Sequence, residues 1–131
     1  MGRSLTSPGR LFVIATPIGN LEDLTFRAKR VLGEVDALVC EDTRHTRILL
    51  DRYEIPRPKL LFSCQEHNED RAAQRILGLL ESGQNVGLCS NAGYPGISDP
   101  GYLVISRAAL SGFAIEVVPG ASAVPMALLS S

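Results

Sequence analysis

Leu11-Phe12-Val13-Ile14-Ala15, followed at once by Thr16-Pro17-Ile18-Gly19-Asn20, is the stretch on which the fold turns. Five apolar residues in a row, with no polar alternation, suit a β-strand covered on both faces. Pro17 brings no backbone N–H and ends the ladder there. A strand buried on both sides needs helices above and below it. The next periodic segment, from about Thr25 with Phe26, Val31 and Leu32 as its apolar positions, reads as the first of them.

The alternation then repeats along the chain. Ala37-Leu38-Val39-Cys40 is a second strand, and Ile48, Leu49 and Leu50 mark a helix that ends before Pro56. Leu60 to Cys64 is a third strand. Asn68 is expected to cap the next helix, which has Glu69 and Asp70 in its first turn, Ile76, Leu77 and Leu80 on its core face, and a stop near Gly83. Asn85 to Ser90 is a fourth strand, and Pro100-Gly101 opens a helix running to Gly112 with Leu103, Val104, Ala108 and Leu110 in it. Ala114 to Val118 is a fifth strand, and Ser122 is placed to cap one more helix. A βα unit used five times predicts an α/β fold, a mostly parallel five-stranded sheet with helices on both faces.

Composition sets the outer bounds. The chain has 131 residues, 45% hydrophobic and 21% charged, enough for one domain with a real core and little room for a second. A net charge of −1 offers no overall attraction to nucleic acid or to an anionic membrane. Basic residues crowd between Arg27 and Lys59, but acids share that stretch, as on mixed solvated helix faces. No run is long enough for a membrane span or a signal peptide, so no membrane partner is expected. Three cysteines without a close pair fit a reducing compartment, and a cytoplasmic location is the expectation. The polar opening, residues 1–10, reads as a frayed tail, and residues 11–131 as the domain. A last helix still running at Ser131 without a capping glycine leads us to expect a further domain beyond it.

In open α/β sheets ligands bind beyond the carboxyl ends of the strands. Three Pro- and Gly-containing loops fall there: 16–23 after the first strand, 90–101 after the fourth and 119–122 after the fifth. Such loops expose backbone N–H and C=O groups that an adenine or amino-acid moiety can bind. Neither G-x-x-x-x-G-K-[ST] nor G-x-G-x-x-G occurs, which disfavours triphosphate and standard dinucleotide sites. Glu41-Asp42-Thr43-Arg44-His45 follows the second strand. Its carboxylates and Arg44 suit proton transfer or substrate positioning, and equally a helix cap at Asp42 or Thr43 with Arg44 paired to an acid. Glu66-His67-Asn68-Glu69 after the third strand leaves the same choice between a base at His67 and a capping loop. Cys40, Cys64 and Cys89 stand near strand ends and with His45 or His67 would resemble a zinc set. Without a C-x-x-C pair they read as small buried hydrophobes, and no metal is expected.

Taken together, Thr16 to Leu21, Glu41 to Arg44, Glu66 to Glu69, Gly93 to Pro100 and Pro119 to Ser122 resemble, in order and spacing, the tetrapyrrole (corrin/porphyrin) methylase family. Within it they are similar to the branch that methylates a ribose 2′-hydroxyl of 16S ribosomal RNA. The resemblance runs from Leu11 to Leu129. It implies an enzyme that uses S-adenosyl-L-methionine, of which this chain is the amino-terminal half, working as a homodimer on 16S rRNA or the small ribosomal subunit. It further implies cofactor contacts from Pro17, Gly19, Ala92, Gly93, Pro95, Ile97, Ser98, Pro119, Gly120, Ser122 and Ala123. Glu41, Asp42, Arg44, His67 and Glu69 would face the RNA; methyl transfer to a hydroxyl needs alignment and a proton acceptor, with Arg44 suited to a phosphate. One departure stands out: Ser90-Asn91-Ala92-Gly93-Tyr94-Pro95 replaces the branch's usual Ser-Asp-Ala-Gly-Thr-Pro, exchanging a carboxylate for an amide and adding a ring. A methylase of a tetrapyrrole or other small molecule, and a non-catalytic α/β binding module, are the alternatives that the residues leave open.

Overall fold

A computed structural model of the chain describes residues 7–16, 24–90 and 100–119. Five strands and four helices alternate as β1 (Arg10–Ala15), α1 (Phe26–Glu34), β2 (Ala37–Cys40), α2 (Thr43–Arg52), β3 (Leu60–Ser63), α3 (Glu69–Glu81), β4 (Val86–Ser90), α4 (Pro100–Leu110) and β5 (Ala114–Val118). The strands form one sheet in the order β3-β2-β4-β1-β5, and every pairing in it is parallel.

That order explains why helices cover both faces. From β1 to β2 to β3 the chain steps in one direction across the sheet, and from β3 to β4 to β5 it steps back. Crossovers of one hand that run in opposite directions land on opposite faces. Accordingly Ala28, Val31 and Leu32 of α1 and Leu49 and Leu50 of α2 share a core with Ile14, Leu38 and Val118. Ala72, Ala73, Ile76 and Leu80 of α3 and Val104 and Ala108 of α4 share the other with Leu11, Val13, Ala37, Val39, Val86 and Leu88. The alternation along each strand sorts its side chains between the two cores. Gly87 faces the first core, where a Cβ would lie 3.0 Å from Leu38 Cδ1 and 3.1 Å from Ile14 Cδ1. Its missing side chain is the room those two occupy.

Each helix end has a local cause. Thr25 Oγ1 accepts from Ala28 N at 3.1 Å and caps α1. Helices α2, α3 and α4 all end the same way: the second residue past the cap donates back to a carbonyl of the last turn (Ile55 to Leu50, 2.8 Å; Gln84 to Leu79, 3.0 Å; Phe113 to Ala108, 3.1 Å). The left-handed residue that this closure requires is Gly83 (φ 90°) and Gly112 (φ 87°) in two cases, but Glu54 (φ 56°) after α2.

The structure departs from the sequence reading at several positions. Phe26 is 93% exposed, because the buried stripe of α1 runs through Ala28, Val31 and Leu32 and leaves its first residue outside. Ile48 and Leu110 are exposed for the same reason, lying off the Thr46/Leu49/Leu50 and Val104/Ala108 stripes. Asn68 occupies the cap position of α3 but its side chain makes no cap bond. Arg10, assigned above to the tail, begins β1, and Gly9 before it is buried with its N–H on Leu80 O at 2.7 Å. The expected helix at Ser122 lies outside the described residues.

Candidate functional site

The carboxyl ends of the strands fall into two groups. On one side Ala15 of β1 is in register with Ser90 of β4, and Ile14 with Val118 of β5. The chain therefore leaves the sheet at three adjacent points before residues 17, 91 and 119. After β1 it goes to the face of α1 and after β4 to the opposite face, that of α4, and such a divergence opens a crevice between neighbouring strands. Of the residues assigned to the cofactor, Pro119 follows β5 and is half-buried. Pro17, Gly19, Ala92, Gly93, Pro95, Ile97, Ser98, Gly120, Ser122 and Ala123 lie outside the described residues, as do Asn91 and Tyr94.

On the other side Cys40 of β2 is in register with Ser63 of β3. Here two loops are tied together by hydrogen bonds that the sequence did not announce. Cys64 N donates to Cys40 O at 2.8 Å, continuing the ladder one residue past β3. Gln65 Nε2 donates to the Glu41 carbonyl at 2.9 Å, linking the two loops across the strand ends. Asn68, instead of capping α3, staples its own loop: Oδ1 accepts from Gln65 N at 2.7 Å and Nδ2 donates to Ser63 O at 3.3 Å. A sequence signal for this existed only in retrospect, as two amides within four residues after a strand.

The five residues assigned to catalysis lie on these loops and on the helix starts that follow them, and four of the five line one of two depressions. Glu41, Asp42 and Arg44 line a shallow open depression of about 650 Å³ with Thr43, Ser63 and Gln65. His67 lines a second one of about 530 Å³ with Asn68, Asp70, Arg71 and Gln74. Glu69 is the first residue of α3 and borders neither. Asp42 acts as the cap of α2: Oδ1 accepts from Arg44 N at 3.0 Å and from His45 N at 3.4 Å. Of the two readings open for that residue, the helix cap is realised. Arg44 is exposed and forms no ion pair among the described residues, so its guanidinium faces solvent.

Cys40 and Cys89 are near enough on the adjacent strands β2 and β4 to interact electrostatically, but the three cysteines do not converge: Cys64 belongs to the α3/α4 core, whereas Cys89 packs against the α1/α2 core. Burial pushes the thiols of Cys40 and Cys89 up, for Cys40 against an opposing hydrogen bond with Thr46. Among the described residues no group of three or more His, Cys, Asp or Glu could hold a metal ion, and no helix is long and apolar enough to cross a membrane.

The likeness to known proteins agrees with this architecture. The profile of the family described as Tetrapyrrole (Corrin/Porphyrin) Methylases matches residues 10–131. Among curated proteins, the chain is 45% identical over 123 residues to ribosomal RNA small subunit methyltransferase I of Thermotoga maritima, covering 94% of this chain and 54% of that protein. It is 48% identical over 124 residues to the protein of the same name from Xylella fastidiosa, covering 95% and 45%. The chain thus spans about half the length of the curated relatives it matches. Among solved structures, uroporphyrin III C-methyltransferase from Thermus thermophilus superposes with a TM-score of 0.66 at 22% identity, over 86% of this chain and 48% of that one. Cobalt precorrin-4 methyltransferase does so with 0.69 at 18%, over 85% and 45%; at such identities these two speak for the fold alone. The chain belongs to the tetrapyrrole (corrin/porphyrin) methylase family.

Proposed function

We propose that the intact protein transfers a methyl group from S-adenosyl-L-methionine to ribosomal RNA of the small subunit, at a ribose 2′-hydroxyl. The observation that carries this reading is the 45–48% identity, over nearly the whole chain, to proteins named for small-subunit ribosomal RNA; the ribose hydroxyl is what the motif resemblance implies. The donor belongs at the crevice beyond β1, β4 and β5, where three backbone-rich segments depart side by side. Bound there, it supplies an electrophilic methyl carbon on a sulfonium. The acceptor oxygen forms the new O–CH₃ bond as the S–CH₃ bond breaks, and its proton must go to a base.

Arg44, which has no ion pair among the described residues and lines the Glu41 depression, suits an RNA phosphate. Glu41, His67 and Glu69 are the groups in reach of the same edge that accept a proton. Asp42 serves this surface by fixing the first turn of α2 beneath Arg44. A carboxyl-terminal domain closing the crevice, a homodimeric assembly and a cytoplasmic location belong to the same reading. Transfer of labelled methyl to undermethylated small subunits tests it. Arg44→Ala and Glu69→Ala in the intact protein are expected to keep cofactor binding by calorimetry and lose most transfer. Full transfer in both variants removes these residues from the site.

A further inference from the structure

Arginines in this chain divide into those held by carboxylates and those left open. Arg10 and Arg27 share Glu116, Arg57 pairs with Asp51 at 3.3 Å, and Arg107 pairs with Asp70. Arg71 and Arg75 on α3 have no carboxylate within ion-pair distance among the described residues. They lie one helical turn apart on α3, and His67, in the turn that precedes the helix, lines the same depression as Arg71. Asp70, the acid next to them in sequence, is occupied by Arg107 of α4. Arg75 is not loose: its guanidinium lies 4.2 Å from the centroid of the Phe62 ring on the edge strand β3. Stacking of this kind fixes the plane of the fork while leaving its N–H edges outward, which reduces the ordering cost of binding an anion. Gln74 and Asn68 add neutral amides to the depression that His67 and Arg71 line.

We infer that Arg71 and Arg75, with His67 before the helix and Gln74 beside them, form a backbone-binding track for RNA along the β3 edge, extending the substrate surface beyond the Glu41 and Glu66 loops. This rests on the proposed function only for the identity of the polyanion. The spacing supports it: residues four apart on a helix are about 6 Å apart along its axis, close to the separation of successive phosphates in a nucleic acid strand. Two arginines at that spacing can each take one phosphate, with Gln74 donating between them.

The test is RNA binding by the intact protein as a function of salt, using a fluorescein-labelled RNA hairpin and fluorescence anisotropy. Arg71→Gln and Arg75→Gln together are expected to weaken binding by about tenfold or more at low salt, and to reduce the slope of log K against log salt by about 1.5, the loss expected for two phosphate contacts. Arg75→Lys, which keeps the charge but loses the stacked plane, is expected to retain most of the slope and to weaken binding less. Arg57→Gln, on the ion pair with Asp51, is the control and should leave both quantities unchanged. An unchanged slope in the double variant overturns the track, as does a wild type that binds the hairpin with no salt dependence. Methyl transfer is measured in parallel. Salt-dependent binding lost in the double variant, with no transfer by the wild type to any RNA, would sink the proposed reaction and leave the track standing.

Discussion

Replacing Glu54 by glycine should stabilise the protein, and the reason is confined to one dihedral angle. Glu54 closes α2 at φ 56°, the position held by Gly83 and Gly112 after α3 and α4. An L-residue in the left-handed region carries a cost of about 1–2 kcal/mol from its Cβ. Glycine removes that cost but loses about 0.4–1 kcal/mol more chain entropy on folding. Taking a carboxylate away from the negative end of the helix returns about another 0.3 kcal/mol. The net gain is about 1 kcal/mol. For a chain of 131 residues, with an unfolding entropy of about 2.1 cal/mol/K per residue, that is about 4 °C in Tm. Calorimetry and urea unfolding of Glu54→Gly, Glu54→Gln and Glu54→Ala separate the contributions. Gln relieves the charge alone, and Ala relieves the charge but keeps the Cβ. If Gln or Ala matches the gain from Gly, backbone strain is not its source and the reasoning fails. Gly112→Ala is the mirror image, with nothing beyond its chain neighbours within 4 Å of the added methyl among the described residues, and should cost about 1 kcal/mol through the backbone alone.

Further outcomes follow from other contacts. Asp42→Ala removes the acceptor from two N–H groups at the start of α2 and should cost about 1 kcal/mol, while Asp42→Asn should cost less, as urea midpoints will show. Ile76→Ala empties a fully buried site between α3 and the sheet and should cost about 2–5 kcal/mol in the same assay. Glu116 is held below the ordinary carboxylate value of 4.5, chiefly by its hydrogen bond with Arg27 and further by Arg10. The unfolded chain therefore takes up that proton more readily, so the stability it supplies is present at neutral pH and is lost as pH falls through and below that value. Glu116→Gln should flatten this part of the stability–pH curve, and because the pair is exposed the difference should shrink in high salt. Burial of Cys40 and Cys89 with raised thiol pKa predicts slow alkylation at neutral pH, rising only with denaturant; rapid labelling of either in the folded protein would contradict it.

How much of this was legible in the sequence depends on the range of the interaction concerned. Local patterns located all nine described elements, because strand length, Pro and Gly stops and helical spacing are properties of a few neighbouring residues. Helices on both faces were implied by strands apolar on both sides, whereas the strand order that produces them is a property no local pattern encodes. Side-chain burial at helix ends was less readable: Phe26, Ile48 and Leu110 look apolar and therefore internal, yet each lies outside a stripe whose direction only the sheet defines. Asn68 shows the same limit in a polar residue. Its sequence context signals a cap, but Ser63 O and Gln65 N are nearer partners once β3 places them. Glu41 and Asp42 directly follow β2, as the strand pattern implies. The Gln65 bridge to Glu41 that ties their loop to the next is a contact across 24 positions of sequence that no local pattern encodes.

The strand order carries a consequence for how this architecture diversifies. Strand β4 stands between β1 and β2, so the edge formed by β1, β4 and β5 and the edge formed by β2 and β3 meet at a single seam. Adjacent strands are about 4.8 Å apart, which puts Glu41 about one to two strand widths from the crevice between β4 and β1. Substitutions in the loops after β2 and β3, bonded to each other through Gln65 and Glu41, can then accumulate without moving the ends of β1 and β5 on the far side of the seam.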